Sequence, residues 1–233
     1  EALYFIENDK KEVVKFFKDS NIVKGRLARA KILSNINVIP NIIRTSEHFY
    51  VYNYVEGNVL SQVITDDLFH KFLNWCSDTL WKKIDLDEEN MDNFYKVCKN
   101  LHEVKTKERI KKWFEQKIVF DIPQKLNGYN VPKLEDLLNR LDWGNLNKGI
   151  PVIGHGDLHF ENIIVKEDDS FCCLDWRQDF GGQYLSYDWY YDLCKIFHGI
   201  IVNHSSVLNN QFSIKENRNE VYINILQPMN VFS

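Results

Sequence analysis

Apolar and aromatic runs at 2–7 and 12–17 flank Asn8-Asp9-Lys10-Lys11, and strand-forming runs around turn-forming residues predict a β-hairpin. Leu27, Ala30, Ile32 and Leu33 predict a helix that stops before the Asn35–Asn37 stretch. Residues 48–55 are dense in aromatic and β-branched side chains, a strand composition that Glu56-Gly57-Asn58 interrupts.

Beyond that break the spacing turns helical. Thr65-Asp66-Asp67 supplies a cap and first-turn acids, and Leu68, Phe69, Phe72, Leu73, Cys76, Leu80 and Trp81 follow at helical intervals. Helices are also expected near 91–103 and 106–118, and after Pro132, where Leu134, Leu137, Leu138 and Leu141 repeat. Apolar runs at 150–153, 162–165 and 171–174 read as strands, and an aromatic helix should cover about 187–202. The pattern is therefore α+β: a small β-rich N-terminal part, 1–57, and a larger helical part, 58–233, that carries one hairpin. The link between them falls near Gly57.

Composition narrows the function classes. With 44% hydrophobic and 27% charged residues the chain reads as globular, and its net charge of −4 opposes general affinity for nucleic acid. One stretch departs from that balance: residues 20–46 hold no acid but carry Lys24, Arg26, Arg29, Lys31 and Arg44. Five cysteines, with Cys172 and Cys173 adjacent and no Cys-x-x-Cys pair, fit reduced thiols of a cytoplasmic protein better than a disulfide framework or a structural zinc site. No apolar run approaches the length of a membrane span, so no membrane partner is expected.

The chemistry concentrates in Ile153-Gly154-His155-Gly156-Asp157-Leu158-His159-Phe160-Glu161-Asn162-Ile163-Ile164. Asp157 and Asn162 stand five apart in a His-x-Asp-Leu-x-x-x-Asn frame, the spacing of a protein-kinase catalytic loop. Phosphoryl transfer asks the protein for positioning and charge neutralisation more than for covalent help. An Asp beside an acceptor hydroxyl orients it and takes its proton, and an Asn carbonyl oxygen suits Mg²⁺ as a hard ligand. The apolar run Phe171-Cys172-Cys173-Leu174 ends in Asp175, where a strand would present a second carboxylate at its tip. Lys166–Ser170 makes a polar turn between the two strands.

His-Gly-Asp-Leu-His, Asn-Ile-Ile and Leu-Asp-Trp together resemble the aminoglycoside phosphotransferase and choline kinase family, whose fold is protein-kinase-like and two-lobed. The resemblance implies Asp157 as catalytic base, Asn162 and Asp175 as Mg²⁺ ligands, and His155 as a brace for the loop. It implies that Asp192, in Tyr191-Asp192-Leu193, supports the loop from below, with Asp188 on the same helix face. Tyr54 and Val55, in Tyr54-Val55-Glu56-Gly57, would be the hinge that binds adenine, and Lys15 would reach the phosphates of ATP or GTP, with Lys18 as its competitor. The acceptor would be a hydroxyl of a small molecule; Trp176, Arg177, Gln178, Asp179, Tyr184, Trp189 and Tyr190 lie near its expected place, where aromatic rings could cradle a choline-like cation or stack on a sugar. The Leu-Asp-Trp-Arg-Gln-Asp-Phe-Gly-Gly run is similar to members associated with bacterial surface-polysaccharide synthesis, which implies a sugar or polyol.

Two departures stand out. The family pairs its lysine with a Glu on the next helix, but no acid occurs between Asp19 and Glu47, so Lys15 would need another carboxylate such as Asp175. The family also carries a strand and phosphate-covering loop before the first hairpin, and nothing here precedes Glu1, so the N-terminal lobe is expected to be partial. Two rival readings follow: a catalytically silent nucleotide-binding protein, and a metallohydrolase using His155, Asp157 and His159 on one face of an extended strand, with His198 or His204 as a further ligand.

Overall fold

The computed structural model describes residues 1–7, 9–116, 124–217 and 219–227. In chain order its elements begin with β1 (Ala2–Glu7), β2 (Lys11–Phe16), α1 (Ser20–Ser34), β3 (Ile42–Thr45), β4 (Phe49–Asn53), β5 (Asn58–Val59), α2 (Leu60–Val63) and α3 (Asp66–Trp75). They continue with α4 (Glu88–Lys99), α5 (Lys105–Gln116), β6 (Gln124–Leu126), β7 (Tyr129–Val131), α6 (Leu134–Arg140) and α7 (Trp143–Leu146). The last are β8 (Pro151–Val152), β9 (Ile163–Val165), β10 (Phe171–Cys173), β11 (Tyr187–Asp188), α8 (Trp189–Ile201), α9 (His204–Leu208), β12 (Phe212–Asn217) and β13 (Glu220–Ile225). The architecture is α+β with a β-rich N-terminal part, as the hydrophobic pattern predicts.

These elements form two compact units, one from Glu1–Asp85 with Ile150–Ile201, the other from Leu86–Gly149 with Val202–Gln227. The first holds an antiparallel sheet ordered β1-β2-β4-β3, a second ordered β10-β9-β5, and the short pair β8 and β11. In the first sheet Lys15 lies across from Leu3 on one side and Tyr50 on the other. Val13, Phe17, Leu33, Tyr50, Leu60, Phe72, Leu158, Phe160, Ile163 and Trp176 share a single hydrophobic cluster, so the sheet, α1, α3 and the residue-158 loop are packed as one body. Asp19 caps α1 by accepting from Asn21 N at 2.9 Å, and Thr65 caps α3 by accepting from Leu68 N at 3.2 Å.

The strand pair β5–β9 was not legible from the sequence, because β5 is two residues long. Its entry residue Gly57 has φ +143, and a Cβ there would lie 2.3 Å from the Val165 carbonyl oxygen. Only glycine satisfies both the backbone angle and that approach.

The second unit contains a sheet ordered β12-β13-β6-β7, in which β13 and β6 run parallel. Its helices α4 and α5 are joined by a π-helical turn, Asn100–Val104, where a single run to 103 was expected. Asp87 starts α4 three residues earlier than predicted by accepting from Asn90 N at 2.9 Å. Of the helix expected over 106–118, residues 117–118 lie outside the described residues, as does Asn8 of the first predicted turn. The helix expected from 187 begins at Trp189, since Tyr187 and Asp188 pair with Val152 and Pro151 as a strand. Asp188 Oδ1 then accepts from Ile150 N at 2.8 Å and Tyr190 N at 3.2 Å, which closes the strand and opens the helix. Among the described residues no helix is long and apolar enough to cross a membrane.

Candidate functional site

Residues 154–159 form a loop without strand geometry, which overturns the extended strand that a His155, Asp157 and His159 metal face requires. Gly156 is left-handed at φ +83, and a Cβ on it would meet the Tyr187 ring at 2.3 Å and Arg177 Cβ at 2.8 Å. The turn at this glycine separates the environments of its neighbours. His155 is fully buried, while Asp157 keeps 39% of its side chain exposed.

The supports beneath the loop are charged groups sealed from water. Asp192, on α8, accepts from His155 N at 2.8 Å, Gly156 N at 2.7 Å and Trp81 Nε1 at 3.2 Å. Burial pushes its carboxyl up to about 6, although those donors and Arg29 pull the other way. Arg29, 0% exposed, donates to the Gly154 carbonyl and, at 2.6 Å, to the Tyr184 carbonyl, with its guanidinium 4.0 Å from the Tyr187 ring centre. His155 Nε2 lies 2.8 Å from the Leu174 carbonyl, and Asp157 N donates to His155 Nδ1 at 3.3 Å. Both ring nitrogens are thus engaged in one neutral tautomer, and burial holds the imidazole down at about 4. In that arrangement no lone pair remains for a metal, and the ring links the loop to the Leu174 carbonyl.

Asn162 ties the loop to the hairpin. Its Nδ2 donates to the Asp157 carbonyl at 2.9 Å, and its own carbonyl accepts from Leu174 N at 2.7 Å. Strands β9 and β10 pair Ile163 with Cys173, so Asn162 and Leu174 continue that ladder at its open end. Asp175 follows immediately at φ +56, a conformation uncommon for a residue with a Cβ and concentrated at functional positions.

Asp175 Oδ1 receives two cations: Lys15 Nζ, and Arg26 Nη1 at 2.9 Å. Burial would raise the Asp175 carboxyl, but Lys15 and Arg26 outweigh it and hold it below the ordinary carboxylate range. Lys15, only 5% exposed, also meets Glu1 Oε1 at 2.9 Å. Lys15 therefore pairs with Asp175, the alternative the acid-free helix requires, and Arg26 occupies the position on α1 where a carboxylate was sought. Asp175 Oδ2 and Asn162 Oδ1 have no hydrogen-bond partner among the described residues. Two such hard oxygens at the end of one hairpin fit Mg²⁺.

Tyr54 and Val55 sit where β4 has ended. Tyr54 N donates to the Lys11 carbonyl at 2.9 Å, so its carbonyl is the main-chain group left for a ligand. The amide and carbonyl of Val55 bond to nothing among the described residues.

One site residue, Lys195, escaped the sequence reading. Lys195 Nζ stands 3.0 Å from Asp157 Oδ1 and 3.3 Å from His159 Nε2. Burial, with Lys195 and His198 nearby, keeps His159 below its ordinary value, so its neutral ring accepts from the ammonium. Arg177 Nη1 donates to the Tyr191 hydroxyl at 2.9 Å. The aromatic cluster sorts differently from the sequence grouping. Trp176 is 1% exposed, its ring tilted against Tyr50 at 5.6 Å between centres and its indole N–H on the Arg26 carbonyl at 2.8 Å, and belongs to the core.

No protein-family model and no curated protein matches the sequence. Among solved structures the chain is similar to an AMP-bound spectinomycin phosphotransferase at 15% identity, covering 85% of this chain and 70% of that one with a TM-score of 0.42. It is likewise similar to an ethanolamine kinase of Plasmodium vivax at 14% identity, covering 89% of this chain and 69% of that one with a TM-score of 0.41.

Proposed function

We propose that this protein is a metal-dependent phosphotransferase of the aminoglycoside phosphotransferase and choline kinase type, moving the γ-phosphate of ATP or GTP to a hydroxyl of a small molecule. One observation supports the reading: Asn162 hydrogen-bonds both the Asp157 carbonyl and Leu174 N, which ties the Asp157 loop to the residue before Asp175, the carboxylate that Lys15 pairs with.

Asp157 has Oδ1 held by Lys195, leaving Oδ2 to orient the acceptor hydroxyl and take its proton. The acceptor oxygen bonds to the γ-phosphorus as the bridge to the β-phosphate breaks, and the nucleoside diphosphate leaves with that electron pair. Asn162 Oδ1 and Asp175 Oδ2 would hold Mg²⁺, which neutralises charge on the phosphates. Lys15, released from Asp175, would bind a phosphate oxygen. Val55 offers an amide and a carbonyl to the base.

A silent nucleotide-binding protein is the second reading. It is favoured by the two cations already satisfying Asp175 Oδ1. A thermal-shift titration separates the two. A ligand at 100 times its Kd adds about 2.7 kcal/mol to stability, and the phosphotransferase reading expects that gain from ATP only with Mg²⁺, together with hydroxyl-dependent ADP release. Stabilisation indifferent to metal favours the silent reading, and stabilisation by zinc alone removes both.

A further inference from the structure

Helix α8 brings Tyr191, Lys195 and His198 to the Asp157 loop at spacings of four and three residues, one face of a helix. The Lys195 ammonium contacts Asp157 Oδ1 and His159 Nε2, and it lies 5.7 Å from the centre of the Tyr191 ring. The Arg177 guanidinium sits 5.7 Å from that same ring centre. His198 stacks edge-on against His159 with ring centres 5.4 Å apart. The carboxylate where an acceptor hydroxyl must arrive is therefore contacted by Lys195 and, at 3.4 Å, by His159 Nε2, with Arg177 beyond them on the Tyr191 ring and His198 on the His159 ring. Besides Asp157 itself, the acid that acts on His159 is Glu161, whose Oε1 is sealed from solvent.

A choline-like or polyamino acceptor needs a free carboxylate or a free aromatic face beside its hydroxyl. Here the Asp157 carboxylate is matched by Lys195, and the Tyr191 ring already carries two cations. A third cation would meet like charge. An anionic substituent meets the reverse: Lys195 can exchange Asp157 for it and free the base as the acceptor docks.

We propose that the acceptor carries an anionic group, phosphate or carboxylate, near its reactive hydroxyl, and that Lys195 is the residue that selects it. The inference rests on the phosphotransferase reading for the identity of the acceptor, but binding tests it without turnover. Calorimetric titration of the full chain with ribose 5-phosphate, glucuronate, glucose, choline and kanamycin compares two anionic sources with a neutral and two cationic ligands. Ribose 5-phosphate or glucuronate should bind most tightly, and Lys195→Met, which keeps the aliphatic stem, should weaken the preferred anion about tenfold while leaving glucose and Mg²⁺-dependent ATP stabilisation unchanged. Lys195→Glu should turn the preference toward choline or kanamycin. In a turnover assay the Lys195→Met effect should appear in KM for the anionic acceptor. Tighter binding of a cation, absence of binding by either anion, or an anion preference untouched in Lys195→Met each overturns the proposal. Loss of Mg²⁺-dependent ATP stabilisation in the parent chain instead removes the phosphotransferase reading, and an anion preference that depends on Lys195 survives it as a binding specificity.

Discussion

Arg26 Nη1 lies 2.9 Å from Asp175 Oδ1, so α1 brings a second cation, beside Lys15, to the carboxylate proposed to hold Mg²⁺. The guanidinium is held in place by packing over the Phe17 ring at 4.9 Å and by Tyr50 Oη at 3.4 Å, and its Nε is buried without a hydrogen-bond partner among the described residues. A divalent cation approaching Asp175 must work against both Lys15 and Arg26. Arg26→Met removes one of them and keeps most of the packing volume. Divalent-cation binding without nucleotide, followed by Mn²⁺ titration, should then tighten about fivefold, as expected for removal of a partly buried charge interaction of about 1 kcal/mol. Weaker Mn²⁺ binding in the variant would mean that Arg26 supports the metal site and does not oppose it.

Asp157 and Asp175 have separable duties in the proposed reaction. Asp157→Ala should lower kcat by a factor of about 100 to 10,000, the usual worth of a general base, while ATP with Mg²⁺ still raises the melting temperature. Asp175→Ala should abolish the Mg²⁺ dependence of that rise. Equal loss of binding in both variants would assign Asp157 to the nucleotide site and not to the acceptor.

How much of this was legible in sequence follows from how far each contact reaches along the chain. His155, Asp157 and Asn162 lie within eight residues of one another, and Asp175 stands two residues beyond β10, the strand paired with β9, so short spacing was enough to group them. Arg26 and Asp175 are 149 residues apart, Arg29 and Gly154 are 125 apart, and Lys195 is 38 positions from Asp157. No local pattern encodes such pairings. The acid-free stretch 20–46 was the available signal, since arginines on a helix without local acids must find partners elsewhere. The helix boundaries were missed for a different reason: the π-helical turns Cys76–Leu80 and Asn100–Val104 keep a helical hydrophobic rhythm while ending the α-helical ladder.

Gly57 tests the junction that leads from the first sheet to the β9–β10 hairpin. Alanine there would combine a φ of +143 with a Cβ 2.3 Å from the Val165 carbonyl oxygen. Overpacking and backbone strain together should cost about 2–4 kcal/mol, or a fall in melting temperature of about 5–15 °C for a chain of this size. Because β9 carries Asn162 at its head, ATP-dependent stabilisation should fall as well. An unchanged melting temperature would show that β5 is not anchored on β9 as described.

Asp192 and His155 set opposing pH dependences in one buried cluster. Asp192 rises from 3.8 to about 6 on folding because it is buried, so the folded chain binds the extra proton between those values and stability falls as pH climbs through them. Burial lowers His155 from 6.5 to about 4, so the unfolded chain binds the extra proton in its window and stability rises with pH there. The windows overlap from about 4 to 6, and each group contributes a slope of up to about 1.4 kcal/mol per pH unit, so together they nearly cancel. Urea unfolding from pH 4 to 7 should therefore show little slope from this pair in the parent chain. Asp192→Asn leaves His155 unopposed, and stability should climb with pH over the window. His155→Gln leaves Asp192 unopposed, and stability should decline over the same window. The two variants need only fold for their slopes to be read, whatever stability each has lost. Parallel slopes in all three proteins would mean that neither group titrates in that range, and the shifts that burial imposes on Asp192 and His155 would have to be abandoned.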